Sequence, residues 1–310
     1  MKLHSIAPVV AILIGAFASQ ACADTAPSTG SPRPASEVIL EEGGTGPYPA
    51  IVTEDPGLPG MTIYRPRDLS PFGGDKTLPV LLWGNGACAN TTYEHKNFLN
   101  EIVSHGYVVL GIGLLSQLEE RGEPSRQPTS AGQLLAALDW IVAENASKQS
   151  IFAGKIDTTK VAAMGMSCGG LQAIEISRDP RISTTVVCNS GVLPSPSPMK
   201  MMPSLTKEAL STYHAPVLYI IGGPTDIAYG NAMDDFERVN HVPIIMTNLD
   251  VGHGGTYHLP SGGEFTRVAL AWLDWQLKGV ENASKMFLGA DSELARDPKW
   301  TIEVKNFPAQ

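Results

Sequence analysis

Ser167, Asp226 and His253 are the residues in this 310-residue chain whose types and order could do covalent chemistry. A serine hydroxyl is a weak nucleophile until a base removes its proton. An imidazole does this near neutral pH, and a carboxylate behind the imidazole fixes its tautomer and stabilises its charged form. The three residues occur in the order Ser, Asp, His, 59 and 27 residues apart, each just past an apolar run. The chemistry they would support is acyl transfer through a covalent acyl-enzyme.

The serine is in the most informative context. Gly165-Met166-Ser167-Cys168-Gly169 follows an apolar run from Lys160 to Met164 and precedes the helix-forming run Leu171–Ser177. Strand, sharp turn and helix in that order are what a nucleophile elbow requires, with small residues two before and two after the nucleophile. Taking Cys168 as the nucleophile would put Met166 at one of those positions, so the register selects Ser167. The N–H of Cys168, at the start of the helix, is then positioned to hold a developing oxyanion. A second donor is expected from Gly84-Asn85-Gly86-Ala87-Cys88, past another strand end, and is assigned to the N–H of Ala87.

Asp226 follows the run Pro216–Ile221; its rivals are Asp234, Asp235 and Asp250. His253 lies between glycines, where nothing nearby packs it as a core residue. His258, five residues on, matches no metal-ligand spacing. His95, His105, His214 and His241 lie in or beside expected helices and are read as structural. No metal and no cofactor are expected.

These residues need a scaffold that brings strand ends together. Met61–Arg65, Leu78–Trp83, Tyr107–Ile112, Lys160–Met164, Ser183–Cys188, Pro216–Ile221 and Ile244–Leu249 read as strands. Asn97–Ser104, Ser130–Ala143, Met233–Val239 and Phe265–Leu277 read as helices. Such alternation predicts an α/β fold, a mostly parallel central sheet with helices on both faces, whose reacting groups gather at the carboxyl ends of the strands.

Lys2, the apolar stretch Ile6–Phe17 and Ala21-Cys22-Ala23 predict a signal peptide over residues 1–23, too short to span a bilayer. Residues 24–45 are rich in Pro, Ser, Thr and Gly and are expected to be a disordered tether; residues 46–310 are expected to be the catalytic domain. A formal charge of −9 without a basic cluster argues against a nucleic-acid partner. The expected protein is secreted or periplasmic, monomeric, and free of the membrane after signal cleavage.

The chain resembles the α/β-hydrolases, in the dienelactone-hydrolase and cutinase-like branch that includes bacterial polyester hydrolases and acetylhydrolases of the platelet-activating-factor type. The resemblance runs from Gly43–Tyr48 and Met61–Pro66 through Gly165–Gly169 and Gly222–Asp226 to His253 and Phe265–Leu277. It implies carboxylester hydrolysis of a small-molecule or polymeric substrate, with Ala87 and Cys168 as the oxyanion donors. The same triad would equally serve a peptidase or an acyltransferase, and a non-catalytic binding protein on this fold is a further alternative.

Two departures from the polyester hydrolases stand out. Ala87 replaces a frequent aromatic, and Cys168 a common methionine. If the two donor loops converge, Cys88 and Cys168 approach each other and a bridge would pin the oxyanion hole, with Cys188 as the competing partner for Cys168. The loop Gly191–Pro203, carrying Met199, Met201 and Met202, is expected to cover the site. Met201, Tyr93 and Tyr257 are the expected substrate-pocket residues.

Overall fold

The computed structural model describes residues 37–117, 129–197 and 202–307. Its strands, in chain order, are β1 (Ala50–Thr53), β2 (Met61–Pro66), β3 (Leu78–Gly84), β4 (Val108–Ile112), β5 (Ile156–Met166), β6 (Thr184–Cys188), β7 (Val217–Ile221), β8 (Ile244–Leu249) and β9 (Trp300–Lys305). They form one sheet in the order β1-β2-β4-β3-β5-β6-β7-β8-β9. From β4 through β8 all neighbours are parallel, while β1, β2 and β9 pair antiparallel at the two edges.

Helices cover both faces. Helices α1 (Lys96–Ser104) and α5 (Gly263–Lys278) pack on one face, against Leu81, Trp83, Val109 and Met164. On the other face, α2 (Ala131–Ala146) packs against Val80, Leu82, Val108 and Ala163. There α3 (Cys168–Ile176) and α4 (Tyr229–Arg238) pack against Val187, Tyr219 and Met246. Successive strand residues point to opposite faces, so a strand covered on both reads as an unbroken apolar run. This is why β3 and β7 are fully buried and were legible as strands.

The expected fold class is the observed one, with differences at the margins. Strand β5 starts four residues earlier than expected, in the polar stretch Ile156–Lys160. Helix α4 starts at Tyr229 rather than Met233. Strand β9 is an edge strand with largely exposed side chains, so its apolar pattern is weak.

Composition also places the start of the ordered chain too late. Residues 37–45, assigned to the tether, are tied to the fold: Val38 bridges Val52, the Leu40 carbonyl accepts from Asn100 Nδ2, and the Glu41 carboxylate accepts the Ser261 N–H. Thr45 donates from both N–H and Oγ1 to Glu101. The Pro-rich part that motivated the tether, and the expected signal peptide, fall within residues 1–36, outside the described residues. Among the described residues no helix is long and apolar enough to cross a membrane.

Candidate active site

The turn between β5 and α3 is tight. Ser167 has φ 56° and ψ −117°, an uncommon conformation for a residue with a side chain. A Cβ on Gly165 would lie 2.2 Å from the Gly169 carbonyl oxygen, and one on Gly169 would lie 2.0 Å from that of Gly84. Both positions therefore need glycine, and the close passage of strand and helix holds the Ser167 backbone in place.

His253 lies between the serine and an acid. Its Nδ1 is 2.6 Å from Asp226 Oδ1 and its Nε2 is 3.0 Å from Ser167 Oγ. An ionised carboxylate only accepts, so Nδ1 carries the proton and Nε2 is left to accept from the serine hydroxyl. Asp226 is 4% exposed and also receives the N–H groups of Ala228 and Gly222 and the Asn189 amide. Burial pushes its carboxyl upward. Hydrogen bonds from His253, Ala228, Gly222 and Asn189 outweigh that and hold it below its usual value. The rival acids are engaged elsewhere: Asp234 and Asp235 with Lys207, and Asp250 with the Thr225 hydroxyl.

The turn after β3 closes in a short 3-10 segment, Gly86–Cys88. Ala87 and Cys88 have φ 55° and 49°, two successive left-handed residues. Beneath them Asn85 accepts from Trp83 Nε1 and donates to the carbonyls of Ala89 and Ile112. Thr129 Oγ1 donates to the Cys88 carbonyl and accepts from Gln172 Nε2. A disulfide joins Cys88 to Cys168, and Cys188 is a buried free thiol. Of the two expected pairings for Cys168, the first is the one formed.

Beside Ser167 lies a cleft of about 110 Å³, walled by Leu171, Leu193, Met202 and Ile227 and by the polar Ser190 and Asn231. Ile227, next to Asp226, is 79% exposed. Met202 is the member of the methionine loop seen in this wall; Met199 and Met201 fall outside the described residues.

The two tyrosines differ from expectation. Tyr257 is 2% exposed and packs among Trp83, His95, Phe98 and Phe265, with its hydroxyl donating to Asn189 Oδ1. It is a core residue behind the site, because the chain after His253 turns inward and the buried phenol finds an acceptor. Tyr93 is half-buried in a short 3-10 turn, its ring beneath Lys96 Nζ, and is not part of the cleft wall. Asn189 and Ile227 were missed. Both lie where strand ends converge, Asn189 immediately after β6, so inspection of every strand end would have flagged the asparagine.

The parallel sheet, the strained serine turn and the histidine between serine and acid define an α/β-hydrolase. The model of the family described as PET hydrolase-like matches residues 23–190, and the chain belongs to that family. It is 27% identical over 206 residues to the cutinase est2 of Thermobifida alba, covering 63% of this chain and 61% of that protein. It is 34% identical over 116 residues to the cutinase est1 of the same organism, covering 37% and 33%. It is 33% identical over 115 residues to the cutinase cut1 of Thermobifida fusca, covering 37% and 31%. In each case the match spans less than two thirds of the relative.

Proposed function

We propose that this protein is a secreted serine esterase that hydrolyses carboxylic esters, with Ser167 as nucleophile, His253 as general base and acid, and Asp226 as the group that orients the imidazole. The observation that carries this reading is His253 held at hydrogen-bond distance from both Ser167 Oγ and Asp226.

As Ser167 Oγ adds to the ester carbonyl carbon, its proton passes to His253 Nε2. The carbonyl oxygen becomes an oxyanion facing the N–H groups of Ala87 and Cys168. The tetrahedral species collapses, the ester C–O bond breaks, and the alcohol leaves with the proton from His253. Water then adds to the acyl-enzyme, giving its proton to His253. The bond to Ser167 breaks, the carboxylic acid departs and the serine regains its proton.

The apolar wall of Leu171, Leu193, Met202 and Ile227 supports an apolar substrate. The exposed Ile227 at the mouth and the PET hydrolase-like family support ester groups on a polymer as well as on small molecules. The disulfide and the N-terminal signal pattern support an oxidising, extracytoplasmic location.

The test is a chain-length series of p-nitrophenyl esters on the mature protein, with Ser167→Ala alongside. Turnover that the substitution abolishes is the expected result. A folded wild type with no turnover of any ester would overturn the reading.

A further inference from the structure

We propose that Asn189 is a positioning residue of this site, which locks the acid to the histidine loop and is itself oriented by Tyr257. The proposal rests on the reading of Ser167, His253 and Asp226 as a catalytic triad.

Asn189 is the first residue past β6, on the strand between those that carry Ser167 and Asp226. It is fully buried and has φ 42°, a left-handed conformation that asparagine tolerates better than most residues with a side chain. Its backbone is fixed by donation to the Ile220 carbonyl. Its side chain then links three loops. Nδ2 donates to Asp226 Oδ2 at 2.7 Å and to the Gly252 carbonyl at 3.3 Å, one residue before His253. At the other end Oδ1 accepts the Tyr257 hydroxyl, four residues after His253.

The polarity of the amide follows from its neighbours. Asp226 Oδ2 and the Gly252 carbonyl can only accept, so the NH₂ must face them and the oxygen must face Tyr257. The phenol cannot escape to water, and burial raises its pKa well above the usual value, so it stays protonated as the donor this orientation needs. The Cys188 thiol, lying against the phenol, is likewise held neutral, its pKa pushed up to about 12 by burial. Phenol, amide and carboxylate thus form a directed chain in which each donor points toward Asp226.

Asp226 Oδ1 bonds the imidazole and the Ala228 N–H, whereas Oδ2 has the Gly222 N–H and this amide. Without the amide, the carboxylate keeps its charge but loses the side chain that ties its orientation to the segment bearing His253. A general base held loosely loses rate rather than substrate affinity.

The experiment uses the full mature chain, Asn189→Asp and Tyr257→Phe. It measures kcat and KM for one p-nitrophenyl ester between about pH 6 and 9. It also measures the downfield proton resonance of His253 Nδ1–H, which reports the hydrogen bond to Asp226 whether or not the protein turns over an ester. Asn189→Asp keeps the side-chain shape and suits the backbone conformation. While protonated, the introduced carboxyl still donates to Asp226; once ionised, it repels it.

The expected result for Asn189→Asp is kcat near wild type at the acid end and about tenfold lower at the alkaline end, through one added ionisation, with KM within about twofold. Tyr257→Phe, which removes one oxygen and keeps the ring contacts, is expected to lower kcat about threefold without that ionisation. Both variants are expected to displace the His253 resonance. Profiles parallel to wild type with an unmoved resonance would overturn the proposal, and Tyr257→Phe decides it alone if Asn189→Asp does not fold. If the wild type hydrolyses no ester, the esterase reading fails, while a displaced or unmoved resonance still decides the role of Asn189.

Discussion

Cys88 and Cys168 are bonded across 80 residues of chain, so the turn after β3 and the first residue of α3 form one covalent unit. Cys88 follows one proposed oxyanion donor, and Cys168 is the other. The bridge therefore constrains the distance between two N–H groups, one in the turn after β3 and one at the start of α3.

Removing this bridge is expected to affect rate and stability together. A native bridge is typically worth about 2–4 kcal/mol, which for a domain of this size is a loss of roughly 3–7 °C in Tm. Because the donors would no longer be held in register, kcat is expected to fall about tenfold with KM little changed. The double substitution Cys88→Ala and Cys168→Ala keeps both backbone N–H groups, so esterase kinetics and a thermal melt on that variant check both effects.

Gly165→Ala is expected to destabilise severely. Its Cβ would be 2.2 Å from a backbone carbonyl oxygen that belongs to α3 and cannot swing away. Overpacking of this kind costs about 1–3 kcal/mol or more, and here the displaced helix α3 is capped by Ser167, the proposed nucleophile. Activity per folded molecule is therefore expected to fall as well, measured by active-site titration beside a denaturant melt.

Asp226→Asn is expected to lower kcat by about 10⁴, since the amide favours the wrong histidine tautomer. The stability consequence has a defined sign. The folded carboxyl titrates below its unfolded value, so its contribution is present above about pH 4 and is lost as pH falls through the lower folded value. The difference in Tm between wild type and Asp226→Asn is therefore expected to be largest near neutral pH and to shrink toward pH 2. Thermal melts across that range check it.

Ile227→Ser is expected to leave stability unchanged, because the side chain is already 79% exposed. It removes apolar surface from the cleft mouth, so KM for long-chain esters is expected to rise about threefold while short-chain esters are little affected. The chain-length series measures this directly.

A chain beginning at Gly46 is expected to melt several degrees below one beginning at Glu37. The shorter chain loses the Val38–Val52 bridge and the contacts of Glu41 and Thr45 with Ser261 and Glu101. Equal melting temperatures would show that residues 37–45 contribute nothing to stability.

The sequence by itself determined the class of fold and the serine turn. Buried parallel strands such as β3 and β7 are apolar on both faces, and Gly165 is demanded by a backbone contact within one local strand-turn-helix unit, whereas Gly169 is demanded by its approach to Gly84 of β3. Asp226 and His253 could be proposed because each follows such a strand, and parallel topology delivers strand ends to one edge. What only the tertiary structure decided is which side chains meet across loops distant in sequence. The pairing of Cys88 with Cys168 rather than Cys188, the turning of Tyr257 into the core and the bridging amide of Asn189 all depend on three-dimensional proximity and on a buried donor finding an acceptor. Periodicity encodes which face of an element is covered; it carries no record of the partner that a buried polar group meets there.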